Sequence, residues 1–216
     1  MRVNYSVVVL AAGKGSRTHL EYNKVFYRFA DGKTILEKSV ERFLKDCDCQ
    51  QVVVVTTPEE IGVVKELLSD PRILYTYGGA TRQDSVYQGL QKVNCEYVMI
   101  HDGARCFVSE KEIQALKATL EEEKACLLMV PAIDTIKKVV DGYVVETPLR
   151  SQLYYAQTPQ CFLTTLIKDC YQKAKEKGLI ASDDASLVEL CSDVKIKAVQ
   201  GEYSNKKVTT REDLKG

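Results

Sequence analysis

The sequence predicts an α/β fold built on an open, mostly parallel twisted sheet, and three observations predict it. Apolar runs of strand length alternate with helix-period segments along most of the 216 residues. Several of these runs are continuously apolar, as strands covered on both faces must be. The alternation breaks once, after Pro131, in a β-rich stretch around Asp141-Gly142, a strong hairpin turn signal.

Taken in order, residues 5–10, 52–56, 73–77, 97–100 and 126–130 read as the first five strands. Between them, residues 35–44 place Leu36, Val40, Phe43 and Leu44 on one helical stripe. Pro58 opens a helix over 59–68, and another covers 83–93. Ser109 caps a helix over 110–123, with Glu112 completing a capping box. Residues 137–146 form the hairpin, which serves either as an edge addition or as an arm for another subunit. A strand at 153–157, helices at 163–177 and 185–191 and a strand at 195–199 resume the alternation. Strand-helix alternation of this kind gives a parallel sheet with crossover helices. No repeat or linker marks a second domain, so residues 1–216 read as one.

Composition narrows the function classes. Apolar residues make up 45% of the chain, enough for a core, and 30 basic residues balance 30 acidic ones. No overall field draws it to nucleic acid or to an anionic membrane. No apolar run has the length of a membrane span, and Met1-Arg2-Val3-Asn4-Tyr5 lacks a signal peptide's apolar region, so the expected compartment is the cytoplasm. Eight cysteines lack the spacing of a zinc site and the setting of a disulfide framework, and read as reduced thiols.

The first loop carries the most information. The strand ends in Leu10-Ala11-Ala12, followed by Gly13-Lys14-Gly15-Ser16-Arg17. In open α/β sheets ligands bind beyond the carboxyl ends of strands, where glycines let backbone N–H groups approach phosphates. The loop is neither a P-loop nor a dinucleotide fingerprint, because Thr18 stands where the latter needs a third glycine. Arg17 and Lys24 bracket it, and two cations beside a phosphate are the usual electrostatic route to phosphoryl transfer. A second cluster, His101-Asp102-Gly103-Ala104-Arg105, follows the fourth strand and puts Asp102 at the same edge. A carboxylate there suits a hard cation shared with phosphate oxygens. His101, beside an apolar run, reads as a packed core histidine.

Seven segments in chain order carry a resemblance: 10–17 with Lys24, 78–86 (Gly-Gly-Ala-Thr-Arg-Gln-Asp-Ser-Val), 100–105, 131–137, 157–162, 182–186 (Ser-Asp-Asp-Ala-Ser) and 205–209. Together they resemble the 2-C-methyl-D-erythritol 4-phosphate cytidylyltransferases of the non-mevalonate isoprenoid pathway, nearly end to end. The resemblance implies a Rossmann-like nucleotidyltransferase fold of GT-A type. It also implies a homodimer held by a β-arm spanning about residues 132–156. The implied reaction is in-line attack of the acceptor's phosphate on the α-phosphorus of CTP, with release of pyrophosphate. Arg17 and Lys24 would stabilise its transition state, and Asp102 would help hold Mg²⁺. Ala11, Ala12, Gly13, Gly15, Ser16, Gly79 and Ser85 would bind CTP. Arg105, Thr135, Arg150 and Lys207 would bind the polyol phosphate, Thr135 and Arg150 in the neighbouring subunit's site. Asn23 stands where the family usually has proline, which predicts a less rigid loop before Lys24. Gly103, Cys106 and Thr18 are further departures. The alternative acceptor is ribitol 5-phosphate, as in the sister cytidylyltransferases of teichoic-acid synthesis. A dinucleotide-dependent reductase and a non-catalytic nucleotide sensor are the more distant readings.

Overall fold

The computed structural model describes residues 3–13, 22–210 and 212–215. Its strands are β1 (Tyr5–Leu10), β2 (Cys49–Thr56), β3 (Ile73–Tyr77), β4 (Tyr97–Asp102), β5 (Ala125–Pro131), β6 (Lys138–Val140), β7 (Tyr143–Glu146), β8 (Tyr154–Leu163) and β9 (Lys197–Gln200). The helices are α1 (Ile35–Leu44), α2 (Ile61–Leu67), α3 (Arg82–Leu90), α4 (Glu110–Leu120), α5 (Thr164–Lys177) and α6 (Asp184–Cys191). Seven strands make one sheet in the order β3-β2-β1-β4-β8-β5-β9, while β6 and β7 pair only with each other. β8 alone runs against its neighbours; the other pairings in the large sheet are parallel. The predicted open, mostly parallel α/β sheet is the one found.

Both faces of this sheet are covered, which explains the continuous apolar runs. Val7, Val9, Val52, Val54 and Met99 pack on Leu36, Val40 and Phe43 of α1 and on Ile113, Leu116 and Leu120 of α4. Val8, Val53, Val55, Val98 and Ile100 face the other way, onto Val86 and Leu90 of α3, Ile167 of α5 and Val188 of α6. Alternate residues of one strand thus serve two cores. Helix starts are fixed by reciprocal caps: Thr34 with Glu37, Thr81 with Asp84, Ser109 with Glu112 and Asp183 with Ser186. The Ser109–Glu112 box is the one the sequence predicts.

Several boundaries differ from expectation by a few residues, and two of the differences have a clear cause. The helix expected over 59–68 begins at Ile61, because Pro58 and Glu59 form a turn closed by the Glu60 N–H on the Thr57 carbonyl (3.2 Å). The strand expected at 153–157 continues to Leu163. Gln157-Thr158-Pro159-Gln160 resembles a turn, yet it lies buried in mid-sheet. Pro159 is tolerated because the β5–β8 register shifts there, passing from Gln160 to Ala156 between Leu127 and Met129. At the tip of the hairpin, Asp141 (φ 50°) and Gly142 (φ 84°) both take left-handed backbone, as the favoured two-residue turn requires.

Candidate active site

The sheet order reverses direction between β1 and β4: the chain leaves β1 for β2 and β3, then returns on the other side as β4. Crevices form at such points, beyond the carboxyl ends of the strands. A cavity of about 540 Å³ opens there, walled by the segments that follow β1, β2, β3 and β4. Ala12, Gly13, Lys24, Gly79, Ser85, Asp102 and Lys207 line it, all of them expected from sequence. Gly15, Ser16 and Arg17 lie outside the described residues. Ala11 sits just behind the wall, 1% exposed, with its carbonyl accepting the Asn23 side-chain amide at 2.8 Å.

That last bond belongs to Asn23, and residues 14–21 before it lie outside the described residues. Asn23 is buried; besides Ala11 it donates to Glu60 Oε2 (3.1 Å) and accepts the Val25 N–H (3.3 Å). It therefore pins the short 3-10 turn Lys24–Phe26 by side-chain bonds where a proline would have stiffened the backbone. Lys24 is presented from this turn, 8% exposed, into the cavity. Opposite the first loop, Gly78 permits close packing: a Cβ there would lie 2.8 Å from both Ala12 Cβ and Ser85 Oγ. Ser85 donates to the Thr81 carbonyl (2.9 Å) and accepts the Gly79 N–H (3.1 Å), so its hydroxyl shapes the Gly78–Thr81 turn.

Asp102 ends β4 at the floor of the cavity. Its Oδ2 accepts Lys207 Nζ at 2.7 Å and its Oδ1 accepts Arg82 Nε at 3.4 Å. Burial opposes ionisation of this carboxyl, but Arg82, Lys207 and Arg105 outweigh it and hold its pKa well below the ordinary carboxylate range. Lys207 arrives from the chain's last segment, which is bolted down on either side. Asn205, fully buried, donates to the Thr158 carbonyl (3.1 Å), and the Val208 N–H donates to the Ala104 carbonyl (2.9 Å). Glu112 Oε1 accepts the Glu202 N–H (2.9 Å) in the same anchorage. Among the described lining residues, Lys24, Arg82 and Lys207 face two carboxylates, Glu59 and Asp102. The balance suits a polyanionic ligand.

His101 is a core residue, as its sequence context suggests. It is fully buried, packs edge-on against Phe43, and its Nε2–H donates to the Arg105 carbonyl (2.9 Å). Its Nδ1 then accepts the Thr158 hydroxyl (3.1 Å), whose oxygen accepts the Asp102 N–H (3.1 Å). Burial pushes the imidazole down to about 4, so it is neutral near pH 7. The chain of bonds orients Asp102 and leaves His101 no free nitrogen.

The remaining predicted residues lie elsewhere. The Arg105 guanidinium donates to the carbonyls of Asn205 (2.8 Å) and Ala156 (3.4 Å), holding the segment that carries Lys207. Thr135 and Arg150 are exposed at the base of the hairpin, where Arg150 Nη1 donates to the Ile133 carbonyl (3.1 Å). Arg150 lines a separate concavity of about 580 Å³ formed by 131–133 and 149–151 and does not reach the cavity at the strand ends; Thr135 lines neither. Arg82 and Thr158 have no role in the sequence reading. Each belongs to a segment quoted there, but a charge or hydroxyl aimed at a backbone or a carboxylate leaves no periodic signal.

The 2-C-methyl-D-erythritol 4-phosphate cytidylyltransferase family model matches residues 5–216. The protein of that name from Clostridioides difficile is 41% identical over 216 residues, covering 97% of this chain and 90% of the relative. The one from Bacillus mycoides is 41% identical over 215 residues, covering 97% and 94%. Among solved structures, 4-diphosphocytidyl-2C-methyl-D-erythritol synthase from Anaerococcus prevotii superposes with a TM-score of 0.86 at 32% identity, over 98% of this chain and 95% of that one. The Francisella tularensis 2-C-methyl-D-erythritol 4-phosphate cytidylyltransferase gives 0.84 at 28% identity, over 98% and 97%. With fold, cavity and full-length similarity in agreement, the chain belongs to the 2-C-methyl-D-erythritol 4-phosphate cytidylyltransferase family.

Proposed function

We propose that the protein transfers the cytidylyl group of CTP to 2-C-methyl-D-erythritol 4-phosphate, giving 4-diphosphocytidyl-2-C-methyl-D-erythritol and pyrophosphate. The observation that carries this is full-length similarity to relatives of that name, in a chain whose cavity at the strand ends gathers Lys24, Lys207 and Asp102. A phosphate oxygen of the acceptor attacks the α-phosphorus in line. The new P–O bond forms as the bond to the pyrophosphate oxygen breaks, and the electron pair leaves with pyrophosphate. The nucleophile is already an anion, so no general base is needed, in keeping with a buried and fully bonded His101.

The residues divide the work by chemistry. Lys24, with Arg17, neutralises charge gathering on the phosphoryl oxygens. The small residues Ala12, Gly13 and Gly79, with the Ser85 turn, line the cavity and would take the cytosine and ribose of CTP. Lys207 takes a phosphate, exchanging Asp102 for it. Asp102, a hard oxygen donor beside a polyphosphate slot, fits Mg²⁺, which binds through one or two carboxylates plus phosphate oxygens. When bound, the ion would supply charge neutralisation on the triphosphate. Arg105 reads as a polyol-phosphate contact that also holds the Asn205 carbonyl.

We further read the chain as one domain whose β-arm, about residues 132–156, joins it to a second copy. The support is an exposed hairpin with Tyr143 77% and Val144 60% exposed, unpaired with the large sheet. Thr135 and Arg150 at its base would complete the neighbour's acceptor site. No described helix is long and apolar enough to cross a membrane, in keeping with a cytoplasmic enzyme. The test is pyrophosphate release from CTP and Mg²⁺ with each polyol phosphate in turn. Turnover with 2-C-methyl-D-erythritol 4-phosphate is expected; faster turnover with ribitol 5-phosphate would overturn the choice of acceptor.

A further inference from the structure

We infer that Arg82 is a positioning residue for the transfer site, held by Asp184 so that it fixes the carboxylate of Asp102. The inference rests on the cytidylyl-transfer reading above and adds a residue to it. Arg82 opens α3, where Thr81 and Asp84 cap the helix. Its Nη1 and Nη2 donate to Asp184 Oδ1 (3.2 Å) and Oδ2 (2.8 Å), a two-pronged pair, while Nε turns to Asp102 Oδ1. Asp184 is fully buried at the start of α6 and takes a third bond from the Tyr171 hydroxyl of α5 (2.5 Å). The start of α6 is itself tied to β8, since Gln160 donates to Asp183 Oδ2 (2.7 Å) and accepts the Ala185 N–H (2.8 Å). One guanidinium therefore joins the end of β4 to three helices.

Stability alone is a poor reason for this arrangement, because a buried ion pair is often no better than an apolar one of the same volume. The geometry has a further use. Asp102 is held by two cations, and one of them, Lys207, is the group that turns to a phosphate when ligand enters. Arg82 cannot follow, because Asp184 already occupies two of its prongs. It remains as the contact that would keep the Asp102 carboxylate in place to hold a divalent cation. Only the planar fork of arginine serves both carboxylates at once; lysine carries the charge without the geometry.

The test compares Arg82→Lys with Gln83→Ala. Gln83 ties the same helix to the Leu179 carbonyl (3.0 Å) and the Ala181 N–H (3.2 Å), with no link to Asp102. Three quantities are read: kcat per folded molecule, CTP affinity without metal, and Mn²⁺ affinity of the protein with CTP by electron paramagnetic resonance. For Arg82→Lys, kcat and Mn²⁺ affinity are each expected to fall about tenfold, the usual scale for a group that orients a metal ligand, with metal-free CTP affinity little changed. Gln83→Ala is expected to keep both. Asp184→Asn, isosteric but uncharged, is expected to move the same two readouts in the same direction. Wild-type kcat and Mn²⁺ affinity in Arg82→Lys, or an equal loss in Gln83→Ala, would overturn the inference. If the wild-type protein released no pyrophosphate with either acceptor, the function reading would fall instead, and the Mn²⁺ comparison would still decide the role of Arg82.

Discussion

At the scale of single residues, charge and burial divide the site into groups that touch ligand and groups that hold them. On the transfer reading proposed above, Lys24, which lines the cavity, belongs to the first kind. Lys24→Ala is expected to lower kcat about a hundredfold, the scale of losing one preorganised electrostatic contact. A loss below about fivefold, measured as pyrophosphate release at saturating substrates, would remove Lys24 from the transition state. His101 belongs to the second kind, and its depressed pKa gives a stability signature. The unfolded state takes up a proton as pH falls through about 6.5, while the folded state resists until about 4. Unfolding free energy therefore drops as pH falls through that window, by roughly 2 kcal/mol between pH 7 and 5. Asp102, held low, contributes its own loss only as pH falls below the ordinary carboxylate range, so it does not blur this interval. Urea unfolding in EDTA at the two pH values should show that drop, and His101→Gln should flatten it. An unchanged slope in the variant would mean other groups set it. The glycines, Lys24 and Asp102 were legible in sequence because strand ends and small residues leave a local pattern. Arg82 was not, because its partners Asp102 and Asp184 lie far from it in the chain and meet it only in the fold.

At the scale of elements, the strands β1 to β5 and most helices follow from apolar period alone, whereas β8 does not. Its second half joins polar bonds at Thr158 and Gln160 to the short buried run Cys161-Phe162, so hydropathy marks only its end and the polar stretch reads as a break. The same holds where α4 meets the turn before β2. Lys117 Nζ, nearly buried, bonds Asp46 (2.9 Å) and Asp48 (2.5 Å), and Asp46 also accepts the Tyr5 hydroxyl at 3.1 Å. Taken alone, Asp46, Cys47 and Asp48 resemble a cation site, but the lysine already fills that role. Lys117→Met leaves two carboxylates without their cation and is expected to destabilise the fold by about 3–5 kcal/mol. Chemical denaturation measures this; a change under about 1 kcal/mol would mean that water replaces the ammonium. The transfer site lies at the other end of the sheet strands, so kcat per folded molecule should be preserved.

At the scale of the whole molecule, the hairpin is the feature one chain leaves unexplained. Val139, Val140, Tyr143, Val144 and Val145 are all about half exposed or more, on a ribbon that does not pair with the large sheet. The residue pattern alone leaves an edge strand and an intersubunit arm equally open, the family resemblance points to the arm, and among the described residues the hairpin strands pair only with each other. If each arm completes the neighbour's site, Lys24 and Arg150 serve different sites within one chain. A dimer of one Lys24→Ala chain and one Arg150→Ala chain then has one site damaged twice and one intact. After subunit exchange of two nearly inactive variants at equal concentration, half the dimers are mixed, and half the sites in those are whole. Twofold symmetry therefore predicts recovery of about a quarter of wild-type activity. Tyr143→Glu, placing a charge on the arm's most exposed aromatic, is expected to yield monomers by sedimentation and to abolish the recovery. If mixing restores nothing while the variants remain dimeric, each site is built from a single chain, and Arg150 acts within its own subunit.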